Sequence, residues 1–113
     1  MADFNGSRYI SFGYKRLSMA LTNTEIFGLA DSATPSVAAS NSFYTQGNPT
    51  YTNFIGGVTG QIIYILASGT CTVVDGTNIF LSGSANWTMA DGDTLTLIQK
   101  ADGKWYELAR GDN

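Results

Sequence analysis

Three aspartates near the C-terminus come closest, by type and spacing, to a catalytic or metal-binding group. Asp91 and Asp93 flank Gly92, and Asp102 lies in the next predicted turn, so the three carboxylates could meet at one end of a sheet. Paired carboxylates at a fixed separation serve glycoside hydrolysis, and clusters of oxygen ligands bind Ca²⁺. Aspartate also accepts local hydrogen bonds in tight turns, and that is the role we expect for all three.

Nucleophilic catalysis has little basis in this sequence. The chain has no histidine, and neither a Gly-x-Ser-x-Gly nor a Ser-x-x-Lys pattern occurs, so a nucleophile would lack its usual base. The single cysteine, Cys71, stands in a strand-like run and is expected to fill the core rather than to react. We therefore predict a protein that is not an enzyme and that uses no cofactor and no metal.

Aromatic side chains suggest a second kind of site. Tyr44, Tyr51 and Trp87 could stack on sugar rings if they are exposed, which would suit a tip that binds a host glycan. Packing in the core or at an interface is the more common use of such residues, and the sequence leaves both readings open.

The low charge of the chain indicates that partners cover part of its surface. Charged residues make up 13% of the 113 positions, and the net charge is -3. Residues 1–24 carry three basic residues against one acid, a balance of +2 that leaves -5 for the rest. Three scattered basic residues are too few for a nucleic-acid patch.

Targeting signals are equally weak. No apolar run approaches the ~18 residues that a membrane span needs. Residues 1–6 have neither the basic nor the apolar part of a secretory signal. We therefore expect no nucleic acid and no membrane among the partners, and a reducing compartment during assembly.

Short apolar runs between Gly, Asp and Asn corners predict an all-β domain over residues 34–113. The run 62–66 follows glycine corners at Gly56 and Gly60, and it is predicted to be a strand buried on both faces. The dipeptide Asp102-Gly103 is a strong hairpin signal. The eight predicted strands are 42–45, 50–55, 62–66, 70–74, 78–81, 87–89, 94–99 and 104–108.

Residues 1–33 lack this rhythm and are predicted to form an N-terminal attachment arm. Within it, residues 9–14 alternate between apolar and small or polar side chains, which is typical of an extended strand laid on another surface. The arm either folds back on its own domain or becomes ordered on a neighbouring protein, and we favour the second reading. The residues assigned to attachment are Arg8, Ile10, Phe12, Tyr14, Lys15, Arg16 and Leu17.

Four large apolar residues are predicted to lie between subunits. Tyr64, Phe80, Ile98 and Trp105 fall on the opposite parity from the core residues of their strands, so a monomer would leave them in water. Symmetric homo-oligomers are the common way to cover such a surface. The alternative is that both faces are covered within one small sandwich.

Five segments in series resemble a known kind of module. They are residues 34–37, 53–61, 75–81, 92–97 and 103–108. In this order they resemble the small β-helical module of phage tail-fibre, tailspike and head-fibre proteins, over residues 34–110. The resemblance implies an all-β fold, a short β-helix or sandwich-like module that forms a homotrimer.

The resemblance also implies a function and a location. We expect a non-enzymatic virion structural protein, a trimeric capsid decoration (cement or head-fibre) protein whose arm binds a capsid or tail protein of the same particle. The long shaft and upstream catalytic β-helix of larger members have no counterpart here, which favours decoration over a tailspike. The alternative is a tail-fibre or spike module that binds a carbohydrate or receptor on the host. In either case the protein would be assembled in the host cytoplasm and end in the virion.

Overall fold

The computed structural model describes residues 25–113, which form an all-β body without a helix. Eight of its strands overlap the eight predicted runs, and the predicted all-β class is confirmed for this part of the chain. The strands are β1 (Phe27–Gly28), β2 (Ser42–Tyr44), β3 (Thr50–Tyr51), β4 (Ile62–Leu66), β5 (Cys71–Val73), β6 (Ile79–Phe80), β7 (Trp87–Met89), β8 (Thr94–Gln99) and β9 (Trp105–Gly111).

The strands form two sheets. Sheet A has six strands in the order β1-β2-β4-β8-β9-β6, and sheet B has three in the order β3-β5-β7. In sheet A, β1, β2 and β4 run parallel, β8 is antiparallel to both β4 and β9, and β6 is parallel to β9. The turn at Asp102-Gly103 joins β8 to β9 as the sequence predicts, with Gly103 at a φ of 81°.

Successive passes of the chain lie on one another in parallel register. Phe27 pairs with Phe43, and Phe43 pairs with Ile65, which are separations of 16 and 22 residues. The same holds in sheet B, where Thr50 pairs with Thr72, again 22 residues on. Because β2, β3, β4 and β5 alternate between the two sheets, the chain crosses from sheet A to sheet B and back on each pass.

The core lies between the inner faces of the two sheets. Alternate residues of β4 and β8 point into it, as period-2 burial in both strands shows. Cys71 belongs to this core, as predicted. The buried apolar residues are Leu29, Val37, Phe43, Tyr51, Phe54, Ile63, Ile65, Ala67, Cys71, Val73, Ile79, Leu81, Met89, Leu95, Leu97 and Trp105.

The central strand β4 differs from its prediction. It is buried on one face only, because Tyr64 remains 52% exposed and Leu66 38% exposed. A strand is buried on both faces only where a layer covers each side of its sheet. Among the described residues, sheet B covers one side of sheet A, and the prediction of a doubly buried β4 is wrong for the single chain.

The folded body begins N-terminal of the boundary that the sequence predicts at residue 34. Leu29 is fully buried, and its backbone N–H donates to the carbonyl of Tyr44 at 2.8 Å. The carbonyl of Ala33 accepts from the backbone N–H of Thr52 at 2.8 Å. The seven predicted attachment residues, from Arg8 to Leu17, lie outside the described residues.

Candidate assembly surface

Asp93 and Asp102 do not meet at one end of the sheet, which was the alternative to the predicted turn roles. Asp93 lies just before the first residue of β8 and Asp102 lies beyond its last, so the strand of six residues, about 20 Å long, separates them. Within residues 25–113 no group of three or more His, Cys, Asp or Glu side chains is placed to hold a metal ion.

Two of these aspartates serve turns, as the sequence predicts. Asp93 is buried, and its carboxylate accepts from the backbone N–H groups of Ala90 and Asn113, both at 2.8 Å. Asp102 accepts from the backbone N–H of Lys104 at 2.9 Å. That bond is the main reason why the pKa of Asp102 lies below its usual value. Both carboxylates therefore stabilise local chain reversals.

The three aromatics considered for sugar stacking do not share a surface. Tyr51 is fully buried, so the reading of Tyr51 as an exposed platform is wrong. Trp87 is half-buried, and the guanidinium carbon of Arg110 lies 4.2 Å from its ring centroid. Tyr44 is half-buried in β2, within sheet A, whereas the strand of Trp87 belongs to sheet B. No joint platform results.

Trp105 is the one predicted interface residue that the structure places inside the subunit. It is 0% exposed, and its indole Nε1 donates to the carbonyl of Phe54 at 2.9 Å. Trp105 is in register with Gln99, on the same face as the core residues Leu95 and Leu97. The assignment of Trp105 to an exposed surface is therefore wrong, because the hairpin register turns its side chain inward.

The other three predicted interface residues share the outer face of sheet A, the face that points away from sheet B. Ile98 is in register with Ile62 on one side and with Tyr106 on the other, and Tyr106 with Phe80. Residues in register lie on the same face of a sheet, so these four side chains form an apolar row across four strands. The rings of Phe80 and Tyr106 stack, with centroids 5.1 Å apart and planes at 18°.

Tyr64 and Leu66 lie in the next two rows of the same face, counted from the row that contains Ile62. Tyr64 is in register with Thr96 and Ser42, and Leu66 with Thr94 and Tyr44. A shallow groove of about 340 Å³ runs beside them. The groove is lined in part by Ile26, Ser42, Tyr64, Leu66, Thr94 and Thr96.

Among residues 25–113, the charged groups that contact Tyr106 on this face lie at its hairpin end. The Nζ of Lys100 lies 4.5 Å from the centroid of the Tyr106 ring, and the hydroxyl of Tyr106 donates to Asp102 at 2.8 Å. That hydrogen bond is the main reason why the pKa of Tyr106 lies above its usual value. The outward positions of β2, β4 and β8 are uncharged, and they are Ser42, Tyr44, Ile62, Tyr64, Leu66, Thr94, Thr96 and Ile98.

The sequence missed part of this face. The alternation of β4 that identified Tyr64 as an outward residue also places Ile62 and Leu66 on the outer face, because each lies two residues from Tyr64. Ile26, which is 46% exposed, precedes a strand of two residues that is too short to show any period. Leu108 is exposed at a bulge between Glu107 and Ala109, and no sequence signal marks that bulge.

A second cleft lies elsewhere on the body. It has a volume of about 550 Å³, and segments 38–41 and 58–61 line it together with Gly56. Gln61 is one of the lining residues: its side-chain oxygen accepts from the N–H of Val58, and its side-chain nitrogen donates to the carbonyls of Val37 and Ser40. The lining contains no charged residue, and Val58 at the rim is 67% exposed.

Comparison of the sequence with family models and with curated proteins gives no relative. No family model matches the chain, and no curated protein is similar to it at a significant level. Residues 25–113 contain no helix that is long and apolar enough to cross a membrane.

Proposed function

We propose that this chain is a non-enzymatic structural protein of a phage virion, a homotrimer that decorates the capsid. The observation that carries this proposal is the uncharged apolar face of sheet A. A monomer leaves Tyr64, Leu66 and Ile26 in water, and contiguous apolar surface of this kind marks sites of protein association.

The parallel register of successive passes supports the proposed β-helical character of the module. Phe27, Phe43 and Ile65 form one column, and Thr50 and Thr72 form another. Hydrogen bonds between passes make such a body stiff along the stack, which suits a part that has to project from a particle. The antiparallel hairpin of β8 and β9 extends sheet A beyond β4.

Attachment is assigned to the arm N-terminal of β1. In this proposal Ile10, Phe12, Tyr14 and Leu17 become buried against a shell protein, with Arg8, Lys15 and Arg16 beside them. Three arms joined in one trimer bind more tightly than one, because the first contact raises the effective concentration of the other two.

Deletion of residues 1–24 tests the arm, since it spares β1 and the buried Leu29. We expect the shortened protein to remain a soluble trimer that no longer binds particles stripped of the native protein. Binding at the affinity of the full chain would refute the attachment role. A mutant with Arg8, Lys15 and Arg16 changed to alanine separates the charged from the apolar part of the contact.

A second candidate function is a fibre tip that binds host carbohydrate. The neutral cleft beside Gln61 favours it, because its lining offers backbone and amide groups without charge. We would then expect Val58→Arg to lower adsorption to host cells while particles stay assembled. Electron microscopy of labelled particles separates the two functions: signal at regular positions on the shell supports decoration, and signal only at the tail supports the fibre tip.

A further inference from the structure

We propose that the outer face of sheet A is the surface by which one copy of this chain binds a second copy, with Tyr64 at its centre. This inference rests on the proposed homotrimer, and it names where the subunits meet. The large apolar side chains of this face are Tyr44, Ile62, Tyr64, Leu66, Phe80, Ile98 and Tyr106, with Ile26 at the β1 edge, and Ser42, Thr94 and Thr96 lie between them.

Charge favours a copy of the same chain as the occupant. A self-associating surface meets its own charges, so like-charged side chains at its centre would repel one another. The outward positions of β2, β4 and β8 carry none. At the hairpin end, Lys100 and Asp102 have opposite signs, so neighbouring copies can also pair there. A shell protein selected by charge would need a charged patch that this face does not have.

The area of the face is sufficient for association between copies. Six strands at about 4.8 Å spacing and a longest outward strand of about 20 Å give a face of about 480 Å². Two such faces together bury about 1,000 Å², which is the lower limit for a specific interface. In a three-fold trimer each face is shared by two contacts, so the three faces together bury about 1,400 Å², and this total is reached only if the centre of each face is covered.

The position of Tyr64 makes it the residue whose loss should matter most. β4 is an inner strand of sheet A, with β2 on one side and β8 on the other. Tyr64 is in register with Ser42 and Thr96, two small side chains that leave its ring prominent. Aromatic residues at the centre of an interface carry a large share of the binding free energy.

Tyr64→Glu compared with Val58→Glu tests the inference. Both residues are apolar and more than half exposed, but Val58 lies at the rim of the second cleft and not on sheet A. We expect wild type and Val58→Glu to sediment as trimers of about 36 kDa, three times the 12.1 kDa of one chain. Tyr64→Glu should be monomeric at 10 µM, with its association weakened at least 100-fold. Circular dichroism of each variant verifies that it is folded.

Crosslinking keeps the test decisive if Tyr64→Glu fails to fold. Thr96→Cys places a thiol next to Tyr64, and Thr88→Cys places a matched thiol on the exposed side of sheet B. A short bis-maleimide should join chains through Thr96→Cys and leave Thr88→Cys as single chains, while the native Cys71 is buried in both.

The outcomes separate the two proposals. A trimer that persists in Tyr64→Glu, or that crosslinks only through Thr88→Cys, overturns the inference and leaves the homotrimer standing. A monomeric wild type overturns both. A third outcome identifies the arm of the same chain as the occupant of the face. In that case the protein is a monomer, and the thiol of the Thr96→Cys variant is labelled only after residues 1–24 are removed. This outcome also overturns the inference.

Discussion

The indole Nε1 of Trp105 donates a 2.9 Å hydrogen bond to the backbone carbonyl of Phe54, 51 residues earlier in the chain. The two rings also meet edge to face, with centroids 6.3 Å apart and planes at 88°. This pair joins the last strand of sheet A to the segment that follows β3. Its contact therefore adds to the pairing of β4 with β8 in joining the hairpin to the stacked passes.

Trp105→Phe should destabilise the protein by about 2–3 kcal/mol, because it opens a cavity and leaves the carbonyl of Phe54 without a donor. Urea denaturation at a fixed chain concentration measures the change, since association shifts apparent stability. Trp87→Phe is the matched control. Trp87 is only half-buried under Arg110, so its replacement should cost less than about 1 kcal/mol. Equal costs at the two positions would contradict the role given to Trp105.

Gly57→Ala should also destabilise the fold, by about 1–3 kcal/mol, because a Cβ there would lie 2.7 Å from Cζ2 of Trp105. The comparison is Gly60→Ala, where the added Cβ meets nothing but the backbone is held at a φ of 87°. Only the Gly57 variant should show coupling to Trp105→Phe in a double-mutant cycle. Additive effects at Gly57 and Trp105 would show that the two do not touch.

Tyr51→Phe should leave the stability unchanged or raise it by about 1 kcal/mol. The hydroxyl of Tyr51 is buried and has no hydrogen-bond partner among residues 25–113. Burial also holds the pKa of Tyr51 well above its usual value. A thermal melt of the variant beside wild type measures the difference. A loss of more than 1 kcal/mol would mean that the hydroxyl does have a partner.

Cys71 should be inert at neutral pH in the folded protein. Burial raises the pKa of its thiol from 9.0 to about 11, so the reactive thiolate is about 100-fold rarer than in the unfolded chain. Iodoacetamide at pH 8 should therefore label native protein at least that much more slowly than protein in urea. Similar rates in the two states would contradict a core position for Cys71.

The same shift sets a direction for stability against pH. The folded state holds the thiol proton more tightly than the unfolded state, so this contribution is complete below about pH 9. It is lost as the pH rises through about 11. The raised pKa of Tyr51 acts in the same direction. Urea midpoints at pH 8 and pH 10.5 should fall with pH, and Cys71→Ser should reduce the fall.

Strand positions were predictable because glycine and aspartate corners interrupt short apolar runs. Each of the eight predicted runs overlaps a strand of the structure, and Ile62–Leu66, Trp87–Met89 and Thr94–Gln99 match to the residue. β1 was missed, since two residues cannot show a period. Its pairing with β2 depends on a contact between distant passes that local sequence does not encode.

The face to which a side chain points was predictable only in strands whose pairing register was also predictable. In β4 the alternation correctly places Tyr64 outside, and in β8 it places Leu95 and Leu97 inside. In β9 the turn determines which side chains face the core, because a register shift of one residue in the hairpin moves every side chain of the strand to the opposite face. The backbone N–H of Lys100 bonds the carbonyl of Lys104, and Trp105 then faces the core across from Gln99.

The most direct test of the account is the molar mass of the full chain by sedimentation equilibrium, from 1 to 50 µM and at low and high salt. The account predicts a trimer of about 36 kDa, three times the 12.1 kDa chain, at every concentration. Because the face of sheet A is apolar, salt should not dissociate it. A stable 12.1 kDa monomer across that range would contradict the claim that copies of this chain bind one another.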